Sequence, residues 1–268
     1  MNRYLKKQIV ILAVFLLIVS VLGTGVYFLT HKKNTASCTD GIQNQGESGI
    51  DCGTPCGNFC EETRDPIEIL YQNFIPTIEN NFDLVAEIKN PNSVWGAKAI
   101  NYTFYLYDGS GENIASKQGS IYILPQETKY IVEPKIYSDV TPKTVELKIG
   151  NVLWQRLTGF RDMTLKIKEK NIQTGLDAAN RIYGVIENDT NYNLNKVELT
   201  GVVFGANNEI TAAGKTEMTT LMIGEDRYFE IDWPYAISSQ VFTYDIRAYV
   251  NVFADDAFIT VPGGVPKN

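Results

Sequence analysis

A chain of 268 residues is long enough for two ordinary domains, and 24 basic against 31 acidic residues leave it at a net charge of −7. Five of the basic residues (Arg3, Lys6, Lys7, Lys32 and Lys33) lie in the first 33 positions, so the rest of the chain carries 19 against 31, a balance of −12. A surface of that sign repels a polyanion, which excludes nucleic acid as a partner.

Residues 1–7 read as a cytoplasmic tail and residues 8–30 as a transmembrane helix. The run from Ile9 to Leu29 carries no charge and, at about 1.5 Å per residue, spans roughly 30 Å. A cleaved signal peptide has a shorter apolar core and a small-residue cleavage site, which favours an uncleaved anchor here. The basic excess on the short N-terminal side favours N-in, C-out, and places the bulk of the chain outside the membrane. His31 is an interfacial basic flank.

Residues 34–62 contain all four cysteines, Cys38, Cys52, Cys56 and Cys60. Outside the cytoplasm this is a knot of two local disulfides, with three pairings open; in the cytoplasm the same spacing suits zinc. No Cys-x-x-Cys occurs to suggest a redox pair. Asp40, Asn44, Glu47 and Asp51 offer hard oxygen ligands of the kind calcium takes, with Gly41, Gly46 and Gly49 between them. The same residues build Asx turns with no ion at all, and their spacing is not that of an EF-hand. Residues 38–56 resemble a motif, C-x-D-G-x-x-N-x-x-E-x-x-x-D-C-G-x-x-C, of bacterial surface proteins. The resemblance implies an extracytoplasmic setting rather than an activity.

From Ile67 the pattern changes to period two. In AINYTFYLYD, Ile100, Tyr102, Phe104 and Leu106 fall on one face and Asn101, Thr103, Tyr105 and Tyr107 on the other, as in a half-buried strand. Similar runs recur at DLVAEIKN, GSIYILP, KYIVEP and TVELKIG between turn-forming residues. A shift of about 98 residues superposes landmarks: Ile67 on Leu165, Asn90 on Asn188, Glu127 on Glu225, and Val145 on Tyr244. The expected fold is therefore all-β, two tandem immunoglobulin-like β-sandwiches of Greek-key type at residues 63–152 and 160–260, with a tail at 261–268. Residues 151–162 read as the joining segment, in which Trp154 and Phe160 are expected to pack between the domains. The first sandwich, residues 67–150, resembles the FxLYD-type domain through Phe104, Leu106, Tyr107 and Asp108. The second has Gly201, Val203, Phe204 and Gly205 at those places. The resemblance implies a secreted or membrane-anchored structural module without catalytic residues.

A single histidine rules out a Ser-His-Asp triad and a His-based metal site, and no phosphate-binding loop occurs, GGVP near the C-terminus being tail. Asp108, Glu112, Glu225 and Asp226 are the carboxylates a glycosidase would need, but each sits in an apparent turn, as do the strand ends DWPYA and FADDAF. Trp95, Tyr105, Tyr107 and Tyr122 offer a stacking platform for a glycan, with cross-strand packing as the competing role. Asn101 and Asn188 match the glycosylation sequon, but both stand in or beside expected strands, so the matches read as chance. The expectation is a non-enzymatic, single-pass cell-membrane protein that needs no cofactor, apart from the calcium reading. It would present two sandwiches to a protein partner at the envelope, through exposed sheet edges among other surfaces. A carbohydrate- or cell-wall-binding module is the alternative, and a carboxylate hydrolase the third reading.

Overall fold

The computed structural model describes residues 3–30, 38–44, 46–57, 60, 64–157, 163, 165–175, 180–237 and 241–259. His31, Phe160 and the segment 261–268 lie outside them. The chain divides into two compact units, Met1–Thr63 and Arg64–Asn268.

The first unit holds helix α1, Arg3–Thr30, which takes in most of the tail expected at residues 1–7. Its stretch Lys6–Tyr27 is long and apolar enough to cross a membrane. Ile9, Val14, Leu17 and Leu22 all lie half or more exposed, so the apolar surface runs round the whole helix instead of forming one stripe. A helix of that kind suits a lipid surround, not one side of a protein core. The knot comes next, with a short 3-10 turn at Thr54–Cys56.

The second unit is all-β and contains two sandwiches of six strands. Sandwich 1 is formed by β1 (Glu68–Pro76), β2 (Asn81–Lys89), β3 (Trp95–Tyr107), β4 (Asn113–Ile123), β5 (Thr128–Tyr137) and β6 (Thr144–Arg156). Sandwich 2 repeats the series with β7 (Lys166–Gln173), β8 (Asn180–Glu187), β9 (Leu194–Phe204), β10 (Ile210–Leu221), β11 (Asp226–Trp233) and β12 (Thr243–Tyr249). The antiparallel sheets run β1-β2-β5 and β4-β3-β6 in the first, β7-β8-β11 and β10-β9-β12 in the second. Each sandwich has its own core. Leu84, Ile100, Phe104, Leu106 and Ile131 fill the first, and Ile182, Leu199, Val203, Phe229 and Ile231 the second. The alternation expected along β3 is present, since Ile100, Phe104 and Leu106 are fully buried while Asn101 is exposed.

Both halves use the same buried asparagine. Asn90 Nδ2 donates to the carbonyls of Trp95 and Leu124 while its Oδ1 accepts the amide of Asn92. Asn188 Nδ2 donates to Tyr192 and Leu221, and its Oδ1 accepts the amide of Thr190. Each side chain is 0% exposed, and satisfies backbone groups at the point where a strand leaves one sheet for the other. Glu127 and Glu225 repeat in parallel, accepting the amides of Leu124 and Met222. The role of Asn188 explains why its sequon match has no bearing on glycosylation: the amide is inside the protein.

Trp154 lies on β6, not in a joining segment, and packs half-buried against the core of sandwich 1. The strand runs four residues past the expected boundary at 152 because β3 continues beside it, with Ala97 opposite Trp154 and Trp95 opposite Arg156. The two sandwiches instead meet broad face to broad face. Ile75, Val85, Tyr130 and Val132, on the outer side of β1-β2-β5, form one buried cluster with Val202, Ile210 and Ala213 on the outer side of β10-β9-β12. This double burial is why β2 and β9 read as runs of apolar residues rather than clean alternation.

Candidate functional site

Within the knot the structure selects one of the three pairings, Cys38–Cys56 and Cys52–Cys60. The glycines are there for space. A Cβ on Gly49 would stand 2.9 Å from the sulfur of Cys52, and one on Gly53, at φ +112°, 2.7 Å from the amide nitrogen of Ser48. Asp40, Asn44, Glu47 and Asp51 do come together. Asp51 accepts the amides of Asp40 and Gly41 on its two oxygens, and Asp40 accepts the amide of Ile42 and the side-chain amide of Asn44. Buried Glu47 accepts the amides of Asn44 and Asp51 on Oε2. Five of the six carboxylate oxygens thus already hold N–H donors, which is turn chemistry; an ion would have to share those oxygens. Glu47 Oε1 also lies 3.1 Å from Cys56 Sγ, close to Cys38, but oxidised sulfurs offer no thiolate to a metal.

The four aromatic residues expected to form a platform do not share a face. Tyr105 and Tyr107 stack on the outer side of β3, ring centroids 6.3 Å apart, with Lys148 over Tyr105 and Glu146 accepting from the Tyr107 hydroxyl at 2.9 Å. Trp95 stands at the start of the strand with the Arg64 guanidinium 4.9 Å over its ring. Tyr122 is buried, its ring covered by the Lys129 ammonium at 3.3 Å. Alternation places every second residue of β3 outward, but the path from Trp95 to Tyr107 also passes two irregularities in register, and Tyr122, on β4, is covered by Lys129.

The carboxylates proposed for hydrolysis serve their turns. Asp108 accepts the amides of Ser110 and Glu112 and the Ser110 hydroxyl, bonds that hold its carboxyl below the usual range. Glu112 is exposed on the same turn. Glu225 pairs with Arg227, and Asp226 with Lys168 at 2.9 Å. Among the described residues, none of these four faces another across a cleft.

What the sequence pattern did not reveal is the polar network at the joint. Arg247, on β12, reaches across to Glu87 at 2.8 Å and to the Tyr130 hydroxyl at 3.0 Å, while holding Asp245 at 2.8 Å on its own strand. Tyr130 donates its hydroxyl to Asp245, and its amide donates to the Tyr249 hydroxyl at 3.1 Å. Farther along, Tyr235 donates at 2.6 Å to Asp83, which is 3% exposed and also accepts the amide of Lys135. Lys129 is 1% exposed. Its ammonium sits between the rings of Tyr122 and Tyr249, with Glu198 at 3.7 Å, beyond hydrogen-bond distance. Burial pulls it down to about 8, against the upward pull of Glu127 and Glu198. Burial also pushes the Tyr122, Tyr130 and Tyr249 hydroxyls up. A cavity of about 340 Å³ adjoins Lys129 and Tyr130, lined by residues of β4 and β5 on one side and of β9 and β10 on the other. The arrangement is chemically a clamp: charges and phenols matched across a face-to-face contact.

No family model matches the chain, and no curated protein matches it. Among solved structures, red sea bream transglutaminase is similar over 68% of this chain and 28% of its own, at 12% identity and a TM-score of 0.24. The chain spans little more than a quarter of that protein's length, and a likeness of this size carries no argument about activity.

Proposed function

We propose that this is a membrane-anchored, extracytoplasmic, non-enzymatic protein whose work is to hold a stiff pair of β-sandwiches at the cell surface. One observation carries the reading. A helix apolar on every side is followed within about ten residues by two closed disulfides, Cys38–Cys56 and Cys52–Cys60. Lipid suits the first and an oxidising compartment the second. The immunoglobulin-like and FxLYD resemblance of sandwich 1 supports a structural module. The clamp at Arg247 supports a pair that moves as one piece, which is what a scaffold presenting protein-binding surfaces needs. The knot stiffens a segment too short to build a core. The glycan reading is left with Tyr105 and Tyr107 alone.

The test is made in intact cells expressing the full chain, by carbonate extraction, external protease and a membrane-impermeant maleimide. The chain is expected to stay in the membrane fraction, lose its sandwiches to external protease, and give no thiol labelling before reduction. Release by carbonate, or four reactive thiols with the sandwiches protected from protease, would overturn the proposal.

A further inference from the structure

The joint joins two different faces: sandwich 1 uses β1-β2-β5 and sandwich 2 uses β10-β9-β12. Because the sandwiches are repeats, each half of that joint exists twice in the chain, once used and once uncovered by the described residues. Register fixes the correspondence. Val202 pairs with Ala213 and Asp245 as Tyr105 pairs with Ser116 and Glu146, so Tyr105, Glu146 and Lys148 of sandwich 1 occupy the positions of Val202, Asp245 and Arg247. On the other side, Val85 and Glu87 lie opposite Val132 and Tyr130 as Tyr183 and Val185 lie opposite Glu230 and Tyr228.

We propose that copies of this chain associate head to tail, the outer face of β7-β8-β11 in one copy seating on the outer face of β4-β3-β6 in the next, in the geometry of the internal joint. One polar contact of the joint is kept in kind, while the Arg247–Glu87 ion pair is replaced by Lys148 beside Val185. Tyr130 donates to Asp245 within the chain, and the corresponding pair between chains is Tyr228 with Glu146. Composition differs in the way expected for a reversible interface. The permanent joint sets Val, Ile and Ala around a single buried ring, Tyr130, with Arg247 over it, whereas the two unused faces carry stacked Tyr105 and Tyr107 on one side and neighbouring Tyr183 and Tyr228 on the other, with Lys148 and Arg181 over their rings. Tyrosine and arginine are enriched, and small aliphatics are not, where proteins meet and part. Donor and acceptor faces are different surfaces, so the contact is heterologous and builds runs or rings of copies rather than two-fold dimers. This names a partner for the scaffolding reading, and it does not depend on which side of the membrane the sandwiches occupy.

Cross-linking of the full chain in detergent tests it. Lys148→Cys and Val185→Cys stand where Arg247 and Glu87 meet at 2.8 Å in the joint, and the four native cysteines are all in disulfides. With a short bis-maleimide, the chain carrying both substitutions is expected to give a ladder of oligomers. A mixture of the two single variants should stop at dimers, and neither single variant should link to itself. Adding Tyr228→Ala to the double variant should cut the ladder about tenfold without changing its circular dichroism. Absence of cross-links, self-linking of a single variant, or a ladder indifferent to Tyr228→Ala would each overturn the proposal; failure here leaves the anchorage measurements untouched.

Discussion

The two sandwiches share their strand order, their buried asparagines and their turn-capping glutamates, yet differ on one face. Along the outer side of β3 stand Thr103, Tyr105 and Tyr107, at least partly exposed; at the matching places of β9 stand Thr200, Val202 and Phe204, covered by the neighbouring sandwich. Inside, Phe104 fills the first core where the second has Gly201, whose missing side chain is replaced by Ile231 and Ile182 from the facing sheet. The difference teaches that turns and inner faces encode the sandwich, whereas the outer face records what lies next to it. The F-x-L-Y-D pattern fades in the second half on both faces, with Gly201 in place of Phe104 inside and Phe204 in place of Tyr107 outside, while the plan of the strands is unchanged.

The largest expected effect tests what is shared. Asn90→Ala and Asn188→Ala should each cost about 3 kcal/mol, because each removes at one point the hydrogen bonds to two carbonyls and an amide that a fully buried side chain makes. Urea denaturation of the full chain measures both, and a variant costing under about 1 kcal/mol would mean that the two ties are not equivalent.

Next comes the charge at the joint. Lys129 titrates near 8 folded and near its ordinary 10.5 unfolded, so between those values the unfolded chain binds the extra proton and stability rises with pH. The rise should be on the order of a few kcal/mol. Above about pH 10 the unfolded chain loses phenolic protons that burial retains on Tyr122, Tyr130 and Tyr249, and stability falls again. Denaturation followed from about pH 7 to about pH 11 should show this alkaline maximum, and Lys129→Met should abolish the rise while leaving the fall. A flat profile between about pH 8 and about pH 10 would count against a buried ammonium.

Exchanging the outer faces comes third. Val202→Tyr should destabilise by about 1–3 kcal/mol, since the ring must fit into a closed contact, while Tyr105→Val should change stability by no more than about 0.5 kcal/mol. Equal costs would contradict the assignment of one face as covered and the other as open. Tyr235→Phe comes last among the destabilising changes, expected at about 1–2 kcal/mol from a lost hydrogen bond to buried Asp83.

Much of this was legible in the residues. Alternation gave away β3, the shift of about 98 residues found the repeat, and both asparagines and both glutamates of the shared ties were among its landmarks. The oxygen ligands of the knot were legible as a group and as formers of Asx turns, though which amide each one serves was not. Disulfide pairing was not legible, since the spacing of four cysteines permits all three arrangements. Nor was the joint: Tyr130 and Asp245 lie 115 positions apart, and Arg247 and Glu87 160 apart. Only β2 and β9 betrayed it, by being apolar on both sides. Trp154 was misplaced because aromatic content at a repeat boundary says nothing about how far a strand continues.

The central claim is that the sandwiches are held face to face by the Arg247 clamp. A double-mutant cycle in the full chain, Glu87→Gln against Arg247→Gln, measures it most directly by equilibrium denaturation. A coupling of about 1 kcal/mol is expected for a partly exposed, hydrogen-bonded pair across the joint. Strict additivity of the two changes would contradict the clamp.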